Sequence, residues 1–167
     1  ISYLESFFDF PVKAVRTMPN TPALVNEGIT ALSKNENIDA SEFETVINIF
    51  NSIGKTEIID EKLMDIIPGV SGSSPAYVYM FIEALADGAV LQGMPRNKAY
   101  QFAAQSVLGA ARMVIETGKH PGELKDMVCS PGGTTIEAVA VLEDRGMRSA
   151  IIEAVAACTE KSRKMSK

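Results

Sequence analysis

From Ala76 to Leu91 the chain carries only two charges, Glu83 and Asp87, four residues apart and so on one face of a helix. The rest of this stretch is apolar nearly all round. A helix of that kind is stable only when covered on most of its sides. A chain of 167 residues has little surface to spare for such cover, so the pattern predicts a helix shared with a partner subunit. A second helix is predicted over residues 95–116. Its polar residues Gln101, Gln105, Arg112 and Glu116 share one narrow stripe. Tyr100, Phe102, Val107, Leu108, Val114 and Ile115 occupy the other faces, so this helix too is expected to be mostly buried.

These helices belong to a longer run. After Asp60 the spacing of apolar residues is helical throughout: a short helix from Pro121, one over "TTIEAVAVLEDRG", and one from Met147 to the end, about five in all. The first sixty residues differ. Residues 2–8 read as the end of a helix. "VKAVRT" (12–17) reads as a strand stopped by Pro19, Asn20 and Pro22, and "GITALSK" (28–34) as another. Residues 41–53 place Phe43, Val46, Ile47, Ile49, Phe50 and Ile53 at helical spacing. Ser41 with Glu44 forms a possible capping box there, and Gly54 a stop. "KTEII" (55–59) suggests a third strand. The fold class is therefore mainly α, with a partial α/β unit in front.

Composition narrows the functions. The net charge is −5, and the only basic cluster is Lys161, Arg163, Lys164 and Lys167, which argues against a nucleic-acid partner. Cys129 and Cys158 are too few for a disulfide framework. One histidine, His120, leaves no Cys/His metal spacing, so no metal is expected. Both facts fit a reducing cytoplasm. The longest charge-free run, residues 66–82, is broken by prolines and glycines and does not predict a membrane span.

Several stretches carry possible chemistry. In "SPGGTTIEAV" (130–139), Pro131 fixes its φ while Gly132 and Gly133 can adopt positive φ. Thr134 and Thr135 stand where a helix start leaves backbone N–H groups unpaired, a setting that suits a carboxylate. Thr134 with Glu137 also spells a capping box, so the stretch reads either as a capped turn or as an anion cradle. "GSSPAY" (72–77) is a second helix start, with Pro75 at the first position. "RTMPNTP" (16–22) follows a strand, where ligand crevices of open α/β sheets lie. His120, before Pro121 and Gly122, reads as a capping or solvated residue, and Cys129 as a small packed one. No G-x-G-x-x-G occurs; "GVSG" (69–72) is not one.

Taken together and in order, "VRTMPNTPALVNEGITAL", "SGSSPAYVYMFIEALADGAV" and "GKHPGELKDMVCSPGGTTIEAVAVLEDRGMRSAIIEAV" closely resemble the pyrroline-5-carboxylate reductase family over nearly all of residues 11–163. The resemblance implies reduction of Δ1-pyrroline-5-carboxylate to L-proline, the last step of proline biosynthesis, with NADPH or NADH. It implies that residues 1–60 are the remnant of an NAD(P)-binding Rossmann domain. Residues 61–167 would then be a helical dimerisation and substrate-binding domain, of the kind found at the C-terminus of 6-phosphogluconate dehydrogenase. The chain would be a fragment lacking the cofactor phosphate loop, and its assembly a homodimer or larger homo-oligomer. Ser130, Gly132, Gly133, Thr134 and Thr135 are implied as the substrate loop: the Ser130 hydroxyl and the N–H groups of Gly133 and Thr134 hold the carboxylate. The Thr135 hydroxyl, as catalytic group, meets the ring nitrogen. Met18, Pro19 and Asn20 are implied as the wall beside the nicotinamide. Met127 departs from the Asn of many members, which removes a cofactor contact made from the partner subunit. Two other functions stay open: a non-catalytic oligomerisation module, and a related imine or hydroxy-acid dehydrogenase.

Overall fold

The computed structural model describes residues 1–165. One turn of helix, α1 (Ser2–Glu5), leads to β1 (Val15–Met18) and β2 (Gly28–Lys34). Then follow α2 (Ala40–Asn51) and β3 (Gly54–Ile58). β2 is the middle strand. It pairs antiparallel with β1, from Val15 opposite Lys34 to Met18 opposite Ala31, and parallel with β3, from Gly28 opposite Gly54 to Leu32 opposite Ile58. Thr30, Ala31, Leu32 and Ser33 are buried in succession, as suits a strand covered on both faces. The parallel pair needs a crossover, and α2 supplies it. Phe43, Val46, Ile47 and Phe50, spaced for one helical face, pack on Leu32, Ile38 and Val15 to form the core of this unit.

The order strand–strand–helix–strand is as expected, with three local corrections. The helix expected over residues 2–8 is only Ser2–Glu5, and Phe7 and Phe8 follow in turns. β1 starts later than residue 12, because side chains replace the ladder before it: Asn35 and Asn37 donate to the Val12 carbonyl, and Asn35 Oδ1 accepts the Ala14 N–H. The capping box of α2 is Asp39 with Glu42, not Ser41 with Glu44. Asp39 Oδ1 accepts the Glu42 N–H at 2.9 Å and Glu42 Oε2 accepts the Asp39 N–H at 3.2 Å. Ser41 instead donates its hydroxyl to Asp39.

Beyond residue 60 the regular structure is helical. Residues Pro68–Gly72 form a π-helical turn, closed by the Ser73 N–H on the Pro68 carbonyl. Five α-helices follow: α3 (Ser74–Leu91), α4 (Arg96–Thr117), α5 (Pro121–Val128), α6 (Thr134–Asp144) and α7 (Met147–Met165). α3 and α4 meet through a seam of small residues, Ala86, Ala99 and Ala103, flanked by Ile82, Ala89, Val90 and Met94. Asp87 on α3 pairs with Arg96, whose guanidinium lies 5.6 Å from the Tyr100 ring.

The chain divides into two compact units. One is Ile1–Ala76 with the chain from Glu153 onward, and the other is Tyr77–Ile152. Within a single chain the expected burial of α3 and α4 is not reached. The alanine seam covers one side of each helix, and Met80 and Phe102 remain 69% and 67% exposed. Among the described residues no helix is long and apolar enough to cross a membrane.

Candidate active site

The residues Ser130–Gly133 make a tight turn. Pro131 takes its second position and Gly132 its third, with φ +65°, a value open to glycine but costly to a side chain. The Gly133 N–H closes the turn on the Ser130 carbonyl at 3.0 Å. Gly133 is itself the N-cap of α6, in extended conformation. No side chain caps this helix, so the capping box read from Thr134 and Glu137 does not form. Thr134 is the first helical residue rather than the cap, and Glu137 stands one position too far along to reach back. The N–H groups of Thr134, Thr135 and Ile136 thus open the helix without intrahelical acceptors.

The turn also places a hydroxyl. Ser130 Oγ sits against Gly133, where a Cβ would collide with it and would come within 3.1 Å of the Ser130 carbonyl oxygen. The loop therefore gathers one hydroxyl and the first-turn N–H groups at the positive end of a helix dipole, and Thr135 is the second residue of that helix. That donor set contains no acid or base. It can hold a carboxylate and one further polar atom. The Gly133 N–H, expected among the carboxylate donors, is used inside the turn, and the Thr135 N–H is the next donor along the helix.

Nearby groups act locally. His120 Nδ1 accepts the Gly122 N–H at 3.0 Å and so caps α5, as a capping histidine does. On α5, the hydrogen bond that the Lys125 ammonium donates to the Asp126 carboxylate holds the Lys125 pKa above its ordinary value, and the pair neutralises itself. Met127 is exposed and Cys129 half-buried. Among the described residues no group of three or more His, Cys, Asp or Glu side chains could hold a metal ion.

The second set of expected residues belongs to the other compact unit. Met18 ends β1, Pro19 is exposed, and Asn20 stands at the N-cap position of the 3-10 turn Thr21–Val25 without capping it through its side chain. The Met18 ε-methyl lies 3.0 Å from where a Cβ on Gly72 would be. Asn20 Oδ1 accepts the Ile29 N–H and its Nδ2 donates to the Ser71 carbonyl. Ser71 and Gly72 thus meet Asn20 and Met18, and they were not among the expected residues. Pro68, Gly69 and Gly72 in one short run were the available signal.

The fold is a three-stranded α/β piece followed by five helices, and the site is a donor-rich helix start without acid or base. That combination defines a mainly helical protein that opens with a small three-stranded α/β unit. A family model described as pyrroline-5-carboxylate reductase dimerisation matches residues 61–165, and the chain belongs to that family. It is 61% identical over 155 residues to the pyrroline-5-carboxylate reductase of Escherichia coli (strain K12), covering 93% of this chain and 58% of that protein. It is 51% identical over 159 residues to the reductase of the same name from Synechocystis sp., covering 95% of this chain and 60% of that protein. The crystal structure of Plasmodium falciparum pyrroline carboxylate reductase with NADP bound matches at a TM-score of 0.92 and 38% identity, covering all of this chain and 67% of that one. The chain thus spans less than two thirds of the length of these curated relatives.

Proposed function

We propose that this chain works in the reduction of Δ1-pyrroline-5-carboxylate to L-proline, the last step of proline biosynthesis. The observation that carries this reading is the uncapped start of α6, with the Ser130 hydroxyl beside it. Ser130 Oγ and the N–H groups of Thr134 and Thr135 hold the substrate carboxylate at the positive end of the helix. Gly132 and Gly133 shape the turn that sets these donors. The Thr135 hydroxyl meets the ring nitrogen, accepting from it while it carries a proton. A protonated imine is already electrophilic, so the absence of an acid from the loop is consistent with catalysis by orientation.

Residues 1–60 are read as part of an NAD(P)-binding Rossmann domain. The chain from residue 61 onward is read as the helical dimerisation and substrate-binding domain, like the C-terminal domain of 6-phosphogluconate dehydrogenase. The surface of Met18 and Pro19 at the end of β1 is apolar and suits the flat face of a nicotinamide. Nothing in this sequence is a glycine-rich loop for its pyrophosphate. A bound NADPH or NADH would supply the hydride. The exposed apolar faces of α3 and α4 support a homodimer through these helices, and the unpaired cysteines suit the cytoplasm.

The test is direct. The complete protein bearing this sequence is expected to oxidise NADPH or NADH when pyrroline-5-carboxylate is added. No turnover with that substrate, but turnover with another cyclic imine or a hydroxy acid, would assign the loop to a different carboxylate.

A further inference from the structure

Asn20 lies in the wall read as nicotinamide-binding, yet both polar atoms of its side chain are committed to the protein backbone. Oδ1 accepts the Ile29 N–H at 3.0 Å and Nδ2 donates to the Ser71 carbonyl at 3.1 Å. Only this orientation of the amide satisfies both partners, since a flip would face donor to donor and acceptor to acceptor. The first bond closes the loop between β1 and β2. The second joins that loop to the π-helical turn Pro68–Gly72, 51 residues away in sequence.

The Ser71 carbonyl needs this partner for a reason written in the sequence. In a helix it would accept from the residue four positions on, and that residue is Pro75, which has no N–H. The next N–H, on Ala76, goes to Ser73 instead. A half-buried backbone carbonyl without a donor is costly, and the Asn20 amide fills the place. Beside it the Met18 ε-methyl rests against Gly72. The turn is held in its own right, because Gly69 packs against the Val155 carbonyl and Thr159 hydroxyl of α7. Met18 and Asn20 are therefore anchored on consecutive residues of one rigid turn, and Pro19 between them is left exposed.

We propose that Asn20 is a positioning residue: its amide fixes the Met18–Pro19 surface to the Pro68–Gly72 turn and does not itself bind the nicotinamide. This rests on the functional reading above, and the experiment separates the two. In the complete protein, Asn20→Ala lowers kcat about tenfold to a hundredfold, as displacement of a reacting group by about an ångström does. The KM for pyrroline-5-carboxylate changes less than about twofold, because its loop belongs to the other unit. Gly72→Ala, with Asn20 intact, lowers kcat in the same way by pushing on Met18. Without any ligand, amide hydrogen exchange at Ile29 quickens in Asn20→Ala and stays slow in Asn20→Asp, which keeps the acceptor but not the donor. Full activity in Gly72→Ala beside an impaired Asn20→Ala would mean that the amide acts on the ligand, and the proposal would fall. Unchanged exchange at Ile29 in Asn20→Ala would also overturn it. If the unsubstituted protein does not reduce pyrroline-5-carboxylate, the functional reading fails, while the exchange result still decides whether Asn20 is the strut. Should Asn20→Ala not fold, Asn20→Asp and Gly72→Ala carry the comparison.

Discussion

The N–H of Gly133 donates to the carbonyl of Ser130 across 3.0 Å, and this one bond sets both the turn and the start of α6. It brings the Ser130 side chain over Gly133 so closely that a Cβ there would strike Oγ. The φ of Gly133 is −82°, open to any residue, so a substitution acts through its Cβ and not through the backbone. Gly133→Ala is expected to rotate the Ser130 hydroxyl away from the ligand. Loss of one hydrogen bond to a charged group costs about 1.5–3 kcal/mol. The KM for pyrroline-5-carboxylate should therefore rise about tenfold or more. Steady-state kinetics on the complete protein check this, and an unchanged KM would remove Ser130 from the carboxylate site.

Thr135, like Thr134 before it, offers a hydroxyl as well as an N–H at the helix start. Its side chain caps nothing, since α6 has no side-chain cap. Thr135→Ala should therefore leave stability within about 0.5 kcal/mol. The same change should lower kcat about a hundredfold, as loss of one aimed polar group at a reacting atom does. Thr135→Ser, which keeps the hydroxyl, should recover most of the rate. Turnover measured beside a thermal melt separates the two effects, and an unimpaired Thr135→Ala would refute the assignment.

Much of this was legible in the chain because the signals were long. β2 could be read to the residue, since a continuous run between Gly28 and Lys34 has no rival register. The five helices followed from sustained apolar spacing. Short signals misled where two motifs overlapped. Asp39 and Ser41 each precede a glutamate by three residues, and only the fold decides which of them ends up extended. Thr134 and Glu137 fit a cap on paper, but the turn closed by Gly133 moves the N-cap back one residue. The bracing of Met18 and Asn20 was illegible, because it depends on a π-helical turn more than 45 residues away. That turn is held by Gly69 against α7, a contact no local pattern announces.

The exposed faces of α3 and α4 predict assembly. Met80 and Phe102, 69% and 67% exposed, have little to lose in an isolated chain, whereas each aromatic or long apolar side chain buried in an interface contributes about 1.5–3 kcal/mol. The chain should sediment at twice its 18.0 kDa mass. The double substitution Met80→Glu with Phe102→Glu should weaken pairing about tenfold or more and leave the helical content intact. Analytical ultracentrifugation with circular dichroism distinguishes a lost interface from a lost fold. A monomer at every concentration would show that these faces are covered in some other way.

Gly69 is buried beneath α7, where a Cβ would stand 2.9 Å from the Val155 carbonyl oxygen and 3.1 Å from Thr159 Oγ1. The first of these atoms is backbone and cannot yield unless the helix shifts. Gly69→Ala should destabilise the unit by about 1–3 kcal/mol, the usual cost of overpacking. A denaturant midpoint measures it. No change would mean that the turn and α7 are loosely joined.

The last expectation concerns acid. The backbone N–H of Glu42, and after it the Ser41 hydroxyl, donate to the Asp39 carboxylate and hold its pKa below the ordinary aspartate range. The unfolded chain lacks these donors, so the folded state favours the charged form more than the unfolded state does. The stability contributed by the cap is therefore complete above the unfolded pKa and is lost as pH falls through the lower, folded one. Asp39→Asn keeps an oxygen that can accept the Glu42 N–H but removes the titration. Melting temperatures followed from about pH 6 to about pH 3 should fall more steeply for the natural residue than for Asp39→Asn, because only the natural cap titrates in that window. Parallel curves would place the acid sensitivity in other carboxylates and leave the α2 cap without a titrating role.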